Sequence, residues 1–146
     1  MGLDFIGEIN PHYLGWKRWI LTATYYFTKW IESIPTRKAT ETIIMQFLEE
    51  HTLSRFGVPR KIIIDNDLDF KLKKMIAFCF KYQIQLGHSI SYHPQENGLE
   101  ESSNKNLMRI IKKQLQENKK DWHTKLINSL WDDRISINKS ICTSPF

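Results

Sequence analysis

The sequence predicts one α/β domain, a mixed five-stranded sheet flanked by helices. Three observations lead there. Strand-like segments cluster in the first third of the chain, and beyond residue 40 strands alternate with helical patterns. KIIID (61–65) is short and almost wholly apolar, as in a strand buried on both faces.

LDFIGEI near the start reads as a strand, as does WILTATYYF from Trp19 to Phe27. KWIESI follows closely and suggests a third strand, antiparallel to its predecessor because the connection is so short. From about residue 40 to 54, Ile43, Ile44, Phe47, Leu48 and Leu53 recur at helical spacing, and Gly57 and Pro59 end the helix. After KIIID, residues 71–82 read as a helix with Leu72, Met75, Ile76 and Cys79 on one side. QIQLGHS is the fifth strand and SYHPQENG (91–98) a loop. A long helix is expected over about 98–117 and a last one over about 121–138. Trp122 and Trp131 on that last helix are read as core residues on similar faces.

The 146 residues are 41% hydrophobic, enough for one core and hardly more than one domain. A net charge of +5 leans toward a polyanionic partner. No apolar run approaches the roughly 20 residues of a membrane span. The N-terminus has no secretory pattern. Cys79 and Cys142 are far apart, with no Cys or His at zinc spacing, and read as buried, reduced thiols. His12, His51, His88 and His123 lack metal-like spacing and read as surface or packing residues.

The acidic residues fall at telling places. Asp4 lies in the first strand, Asp65 at the carboxyl end of KIIID and Glu101 in the first turns of the long helix. Ligands of open α/β sheets collect beyond the carboxyl ends of strands. Convergent carboxylates suit Mg²⁺, and two such ions clamp the attacking and leaving oxygens of a phosphoryl displacement. The alternative for each acid is a solvated loop or cap residue. At about 100° per residue, Lys105, Arg109 and Lys112 share the face of Glu101, forming a basic stripe suited to a phosphate backbone. Leu107, Ile110, Ile111 and Leu115 are assigned to the core-facing side. Glu100 points elsewhere and stands three residues after Asn97, the spacing of a capping box. The stripe also admits the reading of a solvated face with an ordinary Glu101–Lys105 pair.

LDFIGEINP, YYFTKWIESIP, RFGVPRKIIIDN and SYHPQENGLEESSNK together resemble the integrase catalytic core of gypsy-type LTR retrotransposons, most closely the plant ones. The likeness continues through WHTKLINSLWDDRIS to TSPF and so covers residues 1–146. That family carries two aspartates and then a glutamate after a 35-residue spacer, matched here by Asp4, Asp65 and Glu101 (residues 66–100 between the last two). The resemblance implies a ribonuclease-H-like fold and a metal-dependent polynucleotidyl transferase. Such enzymes process element DNA 3′ ends with water and join them to target DNA by in-line transesterification.

The resemblance further implies that Asp4, Asp65 and Glu101 hold two Mg²⁺ or Mn²⁺ ions. DNA contacts would come from His93, Gln95 and Asn97 of the loop and from Lys105, Arg109 and Lys112. It implies a homo-oligomer acting on element ends and target DNA in the nucleus, with no membrane partner. Neither the zinc-binding domain that normally precedes this core nor a C-terminal domain is recognisable, and the first strand is clipped, with Asp4 three residues from the start. Asp67 and Asp69 stand where small or weakly polar residues are usual, and Tyr25 where an aspartate is common. Two rivals follow: a ribonuclease-H-like nuclease that only hydrolyses, and a degenerate, non-catalytic remnant that binds nucleic acid.

Overall fold

The computed structural model describes residues 1–9, 17–65, 72–89, 109–110, 113, 122–137 and 142–146. Five strands form one sheet: β1 (Gly2–Gly7), β2 (Trp19–Thr24), β3 (Ile31–Thr36), β4 (Lys61–Asp65) and β5 (Gln85–Ser89), in the order β3-β2-β1-β4-β5. β1, β2 and β3 form an antiparallel meander, while β4 pairs parallel with both β1 and β5. The helices are α1 (Glu41–Phe47), α2 (Ser54–Phe56), α3 (Lys73–Lys81) and α4 (Trp122–Ile135). Leu48–Leu53 continues α1 into α2 through wider π-type turns.

Alternation along the strands assigns the two faces. Leu3, Phe5, Leu21, Ala23, Ile62 and Ile64 pack with Ile44, Phe47 and Leu48 and with Met75, Phe78 and Cys79 of α3. On the other face Ile6, Ile20 and Ile31 meet Trp122, Leu126 and Leu130 of α4. Thr40 caps α1 by accepting from the Ile43 amide (3.4 Å), and Gly57 stops α2 with φ +82. β1 begins at the second residue yet lies at the centre of the sheet, paired along both edges. The Met1 carbonyl accepts from the Ile63 amide (2.9 Å).

Several expectations from the sequence need correction. β2 stops at Thr24 instead of Phe27, because the chain turns there: the Lys29 amide donates to the Tyr25 carbonyl (2.8 Å) and Lys29 has φ +59. Phe27, apolar and strand-like in sequence, is 92% exposed at that turn. β3 runs on through Pro35 to Thr36, which is tolerated because β3 is an edge strand. Trp122 is buried but Trp131 is 49% exposed, since nine helical residues at about 100° each leave the two half a turn apart. Cys79 is buried as expected, whereas Cys142 is exposed.

The edge position of β3 shapes an ionic cluster. Glu32, on the face of α1, is buried and accepts from Trp30 Nε1 (2.8 Å) and from Arg55 of α2 (2.9 Å). Arg134 reaches from α4 on the opposite face to the second Glu32 oxygen (3.1 Å) and to the Ile31 carbonyl (2.8 Å). Its guanidinium lies 4.2 Å from the centre of the Trp30 ring. One carboxylate thus ties both helical layers around the sheet edge.

Nearby, burial pushes the Tyr25 phenol pKa up, with the Glu32 charge adding to it and Thr52 and Arg55 opposing. A group that holds its proton more tightly folded than unfolded leaves stability complete below its unfolded pKa of about 10 and weakens it as pH rises past that value. The urea midpoint is therefore expected to fall above about pH 10, and Tyr25→Phe to flatten that fall. An equally steep decline in Tyr25→Phe would assign the alkaline loss to another group.

Candidate active site

The site is built on the junction between the antiparallel and parallel halves of the sheet. Asp4 sits in the middle of β1, opposite Thr22 of β2, and is half-buried. The Thr22 hydroxyl donates to the Asp4 carbonyl (3.3 Å), pinning the backbone that presents it. On the other side Leu3 pairs with Ile64 in parallel register. The paired register ends there, so positions 4 and 65 each stand one residue beyond the last paired residues of two neighbouring strands, position 65 being the last of β4. The backbone thus carries two residues far apart in sequence to the carboxyl end of a parallel strand.

The remaining sequence-predicted site residues divide simply. Arg109 is helical and exposed, and the neighbouring Ile110 is half-buried. Lys113, also helical and exposed, adds a cation near that stripe. Glu101, His93, Gln95, Asn97, Lys105 and Lys112 lie outside the described residues, as do Glu100, Asp67 and Asp69. Of the histidines, His51 stacks on Phe47 (ring centres 5.2 Å apart) and His88 is exposed. Among the described residues no three His, Cys, Asp or Glu side chains gather to hold a metal, and no helix is long and apolar enough to cross a membrane.

One feature escaped the sequence reading. At the end of the sheet where β1 finishes, a cavity of about 600 Å³ opens between Trp19 and Ala39, rimmed by Arg18, Arg37, Lys38 and Glu8. Its only signal in sequence is the Arg37-Lys38 pair before the α1 cap, which reads as an ordinary charged loop.

The sheet order, the mixed pairing and the helices on both faces are those of a ribonuclease-H-like domain. The fold matches a chain of the simian T-cell lymphotropic virus intasome, solved in complex with the PP2A regulatory subunit B56 gamma. The TM-score is 0.76 at 18% identity, over 99% of this chain and 51% of that one. The sequence is 30% identical over 138 residues to the Gag-Pol polyprotein of baboon endogenous virus (strain M7) and 30% identical to the Pol polyprotein of feline endogenous virus ECE1. Each alignment covers 94% of this chain but only 8% and 13% of the respective polyprotein. No family model matches the chain. The relatives and the fold together support a retroviral integrase-like domain.

Proposed function

We propose that the chain is the catalytic core of an LTR-retroelement integrase of the gypsy type, similar to those of plants. It would process the 3′ ends of element DNA and join them to target DNA. The observation that supports this reading is the parallel pairing of β1 with β4 up to the pair of Leu3 with Ile64, just before positions 4 and 65, in a chain with Glu101 at the expected spacing and retroviral Pol relatives.

Asp4 and Asp65, on neighbouring strands, would supply hard oxygen donors of the kind that fits Mg²⁺ or Mn²⁺, and Glu101 would complete the set. Bound there, such cations supply Lewis-acid stabilisation of charge on the phosphoryl oxygens. The protein's own part is positioning. Arg109, with Lys105 and Lys112 at helical spacing, would follow the DNA backbone, and His93, Gln95 and Asn97 would hold it at the carboxylates. Contacts made mainly to phosphates give salt-sensitive binding with little sequence preference. Work on chromosomal DNA would take place in the nucleus, and the resemblance to integrases would make the working form a homo-oligomer.

The test is cleavage and joining of a branched oligonucleotide that mimics an integration intermediate, with Mg²⁺ or Mn²⁺. Wild type and Glu100→Gln are expected to be active and Glu101→Gln inactive. Loss in Glu100→Gln alone would move the third carboxylate by one residue. A folded but inactive wild type would favour the non-catalytic remnant.

A further inference from the structure

The cavity beyond Trp19 lies at the end of the sheet where β1 finishes, on the face of α1 and α3, opposite to the face that position 4 shares with Ile6. Trp19 pairs with Gly7 and Thr22 with Asp4, so the cavity lies three residues along β1 from Asp4. That is about 10 Å, or roughly three base-pair rises of a DNA strand. Its walls are mostly apolar, whereas its rim is cationic. The volume of about 600 Å³ is within the range of small-molecule sites.

The walls are held in place. The Arg18 amide donates to the Thr36 carbonyl (2.9 Å), and the Arg18 carbonyl accepts from the Ile9 amide (2.7 Å). Trp19 meets Phe5 edge-on, with ring centres 6.5 Å apart. It also lies close over Gly7, where an added Cβ would come within 2.9 Å of the indole and φ is +154. Gly7 is thus what lets the indole lie against the strand. On the rim, Arg37 and Lys38 are exposed, while Arg18 is engaged by Glu8 at 2.8 Å.

An apolar slot with an indole wall and cations at its mouth matches one chemical unit, a flat base carrying a phosphate. Single-stranded DNA is held elsewhere in just this way, by aromatic stacking combined with a basic groove. We propose that this cavity binds one nucleotide of an unpaired DNA strand. Its base lies against Trp19 and Ala39, and its phosphate is met by Arg37 and Lys38. The choice of DNA as ligand rests on the function proposed above; the pocket itself rests on its own geometry. Glu8 acts against the phosphate by occupying Arg18 and by its own charge.

The test needs no catalysis and is run in EDTA. The wild-type chain is irradiated with a single-stranded oligonucleotide carrying 5-iododeoxyuridine, and tryptic peptides are mapped by mass spectrometry. The expected adduct is on Trp19, in the peptide that begins there after Arg18. Fluorescence anisotropy with the same oligonucleotide is expected to show about tenfold weaker binding for Arg37→Glu combined with Lys38→Glu. Glu8→Gln is expected to bind two- to threefold tighter, a gain that a misfolded variant would not give. Adducts confined to other peptides would overturn the pocket and leave the integrase reading standing, because strand transfer is scored separately. So would no binding at all, or equal affinity for an oligonucleotide lacking its bases.

Discussion

Glu32→Ala is expected to destabilise the domain by about 3–5 kcal/mol, the usual cost of stripping one partner from a buried ionic cluster. The reason lies in what is left behind. Arg134, whose side chain is only 15% exposed, would lose its carboxylate, and Trp30 Nε1 its acceptor. Arg55 is half exposed and can turn to water, so its share is small. For a chain of this size the melting temperature is expected to drop by about 10 °C or more. Glu32→Gln, which keeps an acceptor for the indole, should lose less. A drop of under about 2 °C for Glu32→Ala in a thermal melt would mean that α4 is held to the sheet by Trp122, Leu126 and Leu130 alone.

Asp4→Asn should separate activity from stability. As a donor to the proposed cations, Asp4 would contribute several kcal/mol to the stabilisation of transition-state charge, so strand transfer should fall at least about 100-fold. Stability should change little, because Asp4 is only half-buried and Asn keeps its size and the backbone bond from Thr22. Measured together on one preparation, joining of the branched oligonucleotide and the urea midpoint decide the matter. A large stability loss alongside the activity loss would make Asp4 a structural residue of β1.

What could be read from the residues and what could not divide along physical lines. KIIID announced β4 because it is an unbroken apolar run, and Ile62 and Ile64 are fully buried on the α1 and α3 face while Ile63, on the other, is half-buried. α1 and α3 were legible from the helical spacing of Ile44, Phe47, Met75 and Cys79. The end of β2 was not, because Tyr25, Tyr26 and Phe27 have strand-forming side chains. What ends the strand is the turn bond from Lys29 back to Tyr25, which composition does not display. Of the candidate site, the spacing of acids could be read directly, and the pairing of β1 with β4 adds the neighbourhood of positions 4 and 65. The Trp19 cavity was hidden because its walls come from three segments, around residues 8, 18–19 and 37–39. No local pattern in a sequence reports such a convergence.

The pairing of β1 with β4 also bears on how the site comes into being. β1, β2 and β3 are neighbours in sequence and can zip together locally, but none of those pairings brings the two aspartates together. Their meeting depends on closing the chain across about 60 residues, the separation at which the Met1 amine reaches the Lys61 carbonyl (3.1 Å). Contacts of that span form late and slowly, because loop entropy must be overcome before they return any energy. A half-folded chain can therefore own a complete hairpin meander and still lack the acidic pair. The junction between the two halves of the sheet thus exists only once the chain has closed globally, so an incompletely folded copy would lack the proposed site.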